Sequence, residues 1–469
     1  MNIGIICTGH VESWLITWIT NRSNDQFTFI KTAQPDTVPA QVRNILSLSA
    51  VTSSEMVSDC DAYINTTTSP LLETEFDKIR NRVVHIDFLL NNYASLLHPL
   101  VEGITVTSVS LIHSSDKNEY GIVEQGHFKT VEHSLEKQLK SITEQTGFLI
   151  SDFLSKPLSV KEKTHLQTYK NVDFNRLQKK VKMMRRKHLF QLLFYSYRWN
   201  IGIAQRNPDQ CLSGTGSLKV NWMKEEKGKG FNADPFMLAG NEGVQLFFEH
   251  LESATGKGIL CTSFYNKSGF SSYKKVLEKP THLSYPFTLN YDNRNYLIPE
   301  NADSGKLTLC EVKDDSIVNE KVLLPVDAVD PTLFQWNNKW WLFCTRKTNK
   351  SADLRLYIYF ADDLLGEWKP HQQNPVKCDI RNARPAGNLF MHHGKIYRPA
   401  QDSSTTYGGR IVINEIKELT EYTYNEVEVS TIEPQQLGSK YDGGVHTVSF
   451  CNGYMAVDGK RKVFRFRYI

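Results

Sequence analysis

Several features that would announce a function are missing from this 469-residue sequence. Its eight cysteines (7, 60, 211, 261, 310, 344, 378 and 451) are scattered and form no CxxC. No Cys/His spacing fits a zinc site, and cysteines inside runs such as "GILCTSF" and "WLFCTR" read as buried, reduced thiols. No apolar run reaches the roughly 18 residues that would span a bilayer. The charge balance is nearly even, with 55 Lys and Arg against 51 Asp and Glu and a net charge of +4. That excludes a globally basic nucleic-acid binder and makes any basic site local. No GxGxxG follows the first strand candidate "NIGIIC", so the dinucleotide fingerprint is absent and no cofactor is implied. "MHHGK" reads as a hairpin turn carrying His392 and His393, so no metal is expected. The opening "MNIGIICTGHVESWLITWI" lacks a basic leader region and carries Glu12 within its apolar stretch, which argues against a secretory signal. The expectation is a cytoplasmic protein.

What is present falls into three parts. Residues 1–150 alternate strand candidates ("NIGIIC", "FTFIKT", "DAYINTTT", "RVVHIDFLL", "GITVTSVSLIH") with helical stretches, which predicts an α/β domain with a mostly parallel sheet. Residues 151–216 carry "FNRLQKKVKMMRRKHLFQLLFYSYRWNIGIAQ", read as a basic helical linker. Its cations at 176–187 suit a solvated helix between domains, or a surface that meets anionic lipid with the aromatic end as anchor. In the second case the protein sits peripherally at the inner face of a membrane. A nucleic-acid partner is not expected.

Residues 217–469 repeat. Prolines 235, 286, 331 and 385 head four similar segments, at spacings of 51, 45 and 54 residues, and a fifth segment around His446 follows 61 residues later. Each is followed by further strand candidates. A period of about 40–60 residues with four strands per unit is the pattern of a β-propeller, here with five blades. The last unit is one strand short, and "GSLKVNWMKE" ahead of the first is a spare that would close the ring and remove an exposed edge.

The first strand of each blade lines the channel, and there the polar residues differ from blade to blade. The sequence brings Asp234, Tyr285, Asp330, Arg384 and His446 to the mouth, and second-strand ends add Glu249, Glu300, Arg398, Gln401 and Asp402. Carboxylates facing across a narrow mouth suit a sugar, since glycosyl chemistry needs one carboxyl to exchange a proton with the glycosidic oxygen and another at the anomeric carbon. Arg384 and Arg398 suit the phosphates of an activated donor, whose oxygens a guanidinium fork binds bidentately.

The segments "FNADPF…LFFE", "HLSYPF…IPE", "VDPTLF…WWLF", "RPAG…YRPAQD" with the following "YGG", and "GVHT" resemble the propeller domain at the N-terminal side of plant glucosamine inositolphosphorylceramide transferases. The architecture is similar to glycosidases of the arabinanase and xylosidase type. The resemblance covers about residues 231–450. It implies a five-bladed propeller, with Asp234 as the base or nucleophile-side carboxylate, Asp330 as the orienting carboxylate and Glu300 as the acid. Tyr285, Arg384, Arg398, Gln401, Asp402 and His446 would then hold substrate. In the plant enzymes a separate glycosyltransferase domain, absent from this sequence, carries the transfer.

The stretch "DAYINTTTSPLL…EGITVTSVSLIHSSDKNEYGIVEQGHFKT" resembles formyltransferases of the methionyl-tRNA and sugar N-formyltransferase type. Asp116 stands nearest the family's Asp, and His85 is a candidate for its His. The family's Asn has no clear counterpart, so the implied domain is a degenerate relative that keeps nucleotide or sugar binding. The function expected of the whole is assembly of surface polysaccharide or glycolipid, with a sugar passed from a nucleotide- or phosphate-activated donor at the propeller mouth. A glycoside hydrolase using the same carboxylates, or a non-catalytic glycan-binding scaffold, are the alternatives.

Overall fold

A computed structural model of the chain describes all residues except 8–9, 23, 32–47, 51–59, 68–82, 91–92, 117–118, 158, 166–168, 170–171, 214–215, 227, 241, 349–351 and 466–469. The chain divides into two compact units, Met1–Leu189 and Phe190–Ile469.

In the first unit one sheet runs in the order Gln26–Lys31, Asn2–Cys7, Ala62–Asn65, Val83–Ile86, Val106–Asp116, Glu119–Lys129, Glu162–Thr164. Its first three pairings are parallel and its last three antiparallel. The sheet is therefore mixed, not mostly parallel. Val106–Asp116 and Glu119–Lys129 follow one another directly as a hairpin, which leaves no room for the crossover helix that parallel pairing requires. The helix Leu135–Leu154 starts at Ser134, whose hydroxyl accepts the Lys137 N–H at 3.2 Å and so satisfies one of the helix's free donors. It buries Leu139, Ile142, Leu149 and Ile150, each contributing about 1.5–3 kcal/mol. Its Ser151 accepts the Trp18 indole N–H at 2.8 Å. The unit is a small sheet with a few helices; a formyltransferase-like, Rossmann-type assignment goes further than this pairing. The Asp116 side chain lies outside the described residues.

The second unit is a five-bladed propeller. Blade one pairs Gly230–Gly240, Gly243–Glu252 and Gly258–Asn266 in sequence, and blade two is a four-stranded meander from Ser284 to Leu324. Blade three is built on Ala328–Trp336, Lys339–Arg346 and Arg355–Ala361, and blade four on Phe390–His392, Lys395–Asp402, Arg410–Leu419 and Tyr424–Ile432. Three hairpins turn on Asp292-Asn293, Asp314-Asp315 and Asn337-Asn338, and all six residues have positive φ. Asn and Asp tolerate that conformation, and a two-residue turn of this hand matches the twist of the strands it joins. Trp340, Trp341, Phe247 and Phe248 are buried in the cores of this unit. All eight cysteines are free thiols, seven of them buried. Among the described residues no helix is long and apolar enough to cross a membrane.

The fifth blade departs from expectation. "KVF" does not form a strand of its own but continues the 11-residue strand Tyr454–Phe464. The end of the chain thus supplies two strands, and the blade lacks two rather than one. Both come from ahead of blade one. Tyr195–Gln205 pairs along its whole length with Tyr454–Phe464, and Asn221–Trp222, from "GSLKVNWMKE", pairs with Tyr195–Gln205. The propeller accordingly begins near Tyr195, not at 217. "YSYRWNIGIAQ" follows a helix without a Gly or Pro break, and a short apolar run has no periodicity that separates a strand from a helix end.

Candidate active site in the central ring

The innermost strands of blades one, two and three each carry a β-bulge at the same place, just before or at the proline. The register shifts between Ala233 and Phe236, between Ser284 and Phe287, and between Val329 and Thr332. At each bulge a non-glycine residue is left-handed: Asp234 at φ 53°, Tyr285 at 42° and Asp330 at 50°. Such a conformation costs about 1–3 kcal/mol and persists only where the surroundings impose it. The surroundings here are carboxylates. The Asp234 N–H donates to Asp458 Oδ2, the Tyr285 N–H to Asp234 Oδ2 and the Asp330 N–H to Glu300 Oε2, each at 3.2 Å. Each strained N–H is thus met by an acid of the preceding blade.

Side-chain hydrogen bonds, or between blades four and five a backbone bridge, span every blade junction. Thr447 Oγ1 donates to Asp234 Oδ1 at 2.7 Å, Tyr285 Oη pairs with Thr332 Oγ1 at 2.8 Å, and Gln401 Nε2 donates to Asp330 Oδ2 at 2.6 Å. Between blades one and two Thr288 Oγ1 donates to the Met237 carbonyl at 3.0 Å. Between blades four and five Gly387 lies against Val448, and the Gly387 N–H donates to Tyr285 Oη at 2.6 Å. Gly387 has φ 127°, and a Cβ there would stand 1.7 Å from the Val448 carbonyl oxygen, so only glycine fits.

Arg384 forks onto Asp330 through Nε (2.6 Å) and Nη2 (3.2 Å), reaches Asp353 through Nη1 (2.7 Å), and lies 5.4 Å from the Tyr407 ring centre. On the other side His446 is clamped by Asp458, whose Oδ1 accepts the His446 N–H at 2.9 Å and whose Oδ2 lies 2.5 Å from Nδ1. Trp199 stacks on His446 at 3.9 Å.

The electrostatics follow from burial. Burial first, and the neighbouring Asp330 charge second, push the Glu300 carboxyl well above the ordinary carboxylate range. Burial also raises Asp234 to about 7; the His446 charge pulls it down, while Glu249, Asp330 and Asp458 push it up. For His446 burial opposes the charged form, but Asp458 and Asp234 outweigh it and the net shift is upward. The ring therefore holds carboxyls that can carry a proton near neutral pH beside Asp330, which a guanidinium clamps. That combination suits proton exchange with a bound group.

Asp234, His446 and Asp458 place donor atoms within 4.8 Å of one another, a grouping that could hold a cation. The 2.5 Å between His446 Nδ1 and Asp458 Oδ2 is a hydrogen-bond distance, whereas two donors at about 2.0 Å on a tetrahedral ion stand about 3.3 Å apart. The remaining oxygens already accept N–H and O–H groups. The donor set fits a shared proton better than a metal.

The structure brings together Asp234, Tyr285, Glu300, Asp330, Arg384, Gln401 and His446. It does not bring Arg398 or Asp402. Arg398 is fully buried and bidentate on Glu426 at 2.6 and 2.8 Å, with its other N–H groups on the Asn382 and Ala383 carbonyls. A guanidinium saturated in this way is not available to a donor phosphate. Asp402 pairs with Arg410 at 2.9 Å and accepts the Ser404 N–H, away from the ring carboxylates. Arg384 is in the ring, but two carboxylates already meet its charge. Sequence reasoning missed Asp458, Thr447, Asp353, Tyr407 and Trp199. Asp458 had a signal: it is an acid in the second strand of blade five, as Glu249 and Glu300 are in the second strands of blades one and two.

Residues 220–447 match a family described as "Glucosamine inositolphosphorylceramide transferase 1, N-terminal". Among curated proteins, glucosamine inositolphosphorylceramide transferase 1 of Oryza sativa subsp. japonica is 34% identical over 210 residues, covering 43% of this chain and 28% of the relative. The Arabidopsis thaliana protein of the same name is 32% identical over 229 residues, covering 47% of this chain and 30% of the relative. The chain thus spans less than a third of the length of either. Among solved structures, a thermostable family-43 glycoside hydrolase matches at 11% identity and a TM-score of 0.36, over 45% of this chain and 83% of that one.

Proposed function

We propose that the central ring is a carbohydrate site that acts on a glycosidic or activated sugar linkage in the assembly of a glycolipid or surface polysaccharide. One observation carries this: Glu300, whose protonated form burial favours, and Asp234, raised to about 7 and so partly ionised near neutral pH, lie beside Asp330, which Arg384 and Gln401 hold. Glu300 would give a proton to the leaving oxygen, Asp234 would accept one from the incoming group, and Asp330 would stabilise positive charge at the anomeric carbon. Tyr285, Gln401 and His446 position these groups. The 34% identity over 210 residues to a protein named glucosamine inositolphosphorylceramide transferase 1 supports a role in glycolipid assembly. The donor would be nucleotide- or phosphate-activated; since Arg398 is sealed away and Arg384 already paired, the ring holds the sugar of that donor more directly than its phosphates. Hydrolysis of a glycoside is the second reading, favoured by the same carboxyls without a free phosphate ligand. For the first unit we keep a formyltransferase-like, nucleotide- or sugar-binding reading, supported by the parallel half of its sheet and by the Asn65 Nδ2 to His85 Nδ1 contact of 2.8 Å.

The test is a thermal-shift screen of the full chain against nucleotide-sugars, free nucleotides, folates and neutral oligosaccharides, followed by product analysis with each hit. Ligand at a hundredfold excess over Kd stabilises by about 2.7 kcal/mol, so even weak binders register. A sugar ligand whose turnover is lost in Glu300→Gln while binding survives supports the proposal. Release of free sugar without an acceptor selects hydrolysis. Binding with no turnover in the unmodified chain makes the ring a glycan-binding scaffold and overturns the chemistry.

A further inference from the structure

The helix Phe174–Phe194 has a composition that nothing in the ring explains. It contains seven Lys and Arg residues and no Asp or Glu, and Leu177 is its one fully buried residue. Two of its cations are engaged at the N-terminal end, where Lys180 donates to the Val101 carbonyl at 2.8 Å and Arg176 lies 3.6 Å from Glu102. Lys179, Lys182, Arg185, Arg186 and Lys187 are exposed, and among the described residues no carboxylate pairs with them. Interleaved with them are large apolar side chains in water: Met183 is 58% exposed, Phe190 53%, Leu192 51% and Leu193 64%. Met183, Arg186, Phe190 and Leu193 stand at i, i+3, i+7 and i+10, along one face of the helix. The strand that follows adds exposed Tyr197, and Lys462 lies 3.7 Å over the Tyr195 ring.

A solvated helix has no reason to present Phe and Leu side chains, and an apolar protein interface is disfavoured where unpaired cations crowd it. Nucleic acid would satisfy the cations but leave Phe190, Leu192 and Leu193 in water. One environment satisfies both sets: the interface of an anionic bilayer, where apolar side chains enter the acyl boundary and long cationic stems reach up to the head groups. We infer that the exposed face of this helix, from Lys179 to Leu193, docks the protein on the surface of a bilayer rich in acidic phospholipid. The inference concerns one helix and does not depend on the chemistry of the ring.

The test is co-sedimentation of the full chain with phosphatidylcholine vesicles with and without phosphatidylserine. Binding is expected only with phosphatidylserine and should weaken as salt is raised. At about fivefold per cation, Arg185→Gln, Arg186→Gln and Lys187→Gln together should lower partitioning about a hundredfold. Phe190→Ser with Leu193→Ser should lower it by at least tenfold. Both sets of positions are exposed, so thermal unfolding should not move, which separates lost docking from lost folding. Equal binding to neutral vesicles, or no change in the cation variant, would overturn the inference. So would binding of a duplex oligonucleotide that the Phe190/Leu193 variant leaves intact. Conversion of a dimer to a monomer by that variant in the absence of vesicles would assign the face to a second copy instead.

Discussion

Arg384 and Arg398 come from the same blade and carried the same expectation, yet they occupy opposite kinds of place. Arg384 reaches across the ring to Asp330 of the preceding blade, with Asp353 on its other side. Arg398 turns into its own blade onto Glu426, which Tyr424 of the same blade and Lys377 from the edge of blade three also meet; the Arg–Glu side chains are 0% and 1% exposed. Arg384 lies in the turn ahead of the first strand of blade four, whereas Arg398 sits within the strand Lys395–Asp402 and faces the blade's own Glu426. The first arginine belongs to a site and the second to the scaffold.

The sharpest way to break that contrast is to remove each arginine. Arg398→Ala leaves Glu426 buried without its main partner and should cost about 3–5 kcal/mol in denaturant unfolding. Arg384→Ala should cost less stability, because its side chain is less fully buried than Arg398 and Asp330 keeps its Gln401 hydrogen bond, but should abolish sugar binding. Equal stability losses would erase the distinction. Next in size, Glu300→Gln should lower turnover about 10²–10⁴-fold, the usual weight of a general acid, with unfolding little changed; the readout is product formed per enzyme.

The two regions should also respond oppositely to pH. Despite burial, the Arg398 and Lys377 charges hold Glu426 down at about 2. Its stabilisation is therefore present above the ordinary carboxylate pKa and is lost as pH falls from about 4 towards 2. Asp234 is raised to about 7, chiefly by burial. Its contribution is largest below the unfolded value of about 3.9 and is lost as pH rises towards 7. Unfolding free energy measured against pH should lose its acid limb in Glu426→Gln, and its decline from about pH 4 to 7 should flatten in Asp234→Asn, by on the order of 4 kcal/mol. The smallest effect belongs to Asp402. Its partner Arg410 is substantially exposed, so Arg410→Ala should shift unfolding by about 0–1 kcal/mol and leave sugar binding intact.

Much of the propeller was legible because its cues are local. The Asp-Pro and Tyr-Pro pairs mark bulges, the Asn and Asp pairs mark hairpin turns, and their recurrence counts the blades. Asp234, Tyr285 and Asp330 were readable as a set because one sequence feature places all three at equivalent bulges. Asp458 and Thr447 were not read: blade five aligns on His446 alone, and only a comparison of second strands sets its acid beside Glu249 and Glu300. Asp353 and Tyr407 sit in loops with no repeat to align, and Trp199 lies ahead of blade one in what read as a linker. In the first unit the alternation of strands and helices was visible, but strand direction was not: nothing local distinguishes a strand that joins a sheet in parallel from one that folds back as a hairpin.

By itself the sequence determined the periodicity, the number of blades, the buried state of the thiols and the residue types that blades one, two and three offer at their bulges. These depend on near-neighbour chemistry: turn conformations, proline's fixed φ, and the alternation of apolar and polar side chains. Only the tertiary structure decided how the ring closes, which acids meet the strained N–H groups, and which arginine faces the channel. Those outcomes rest on contacts between residues up to about 270 positions apart, such as Tyr195 with Phe464 and Asp234 with Asp458. Burial then raises Asp234 and Glu300, and fixed opposite charges hold Glu426 down, so that carboxyls of the same kind in sequence have different chemistry in the fold.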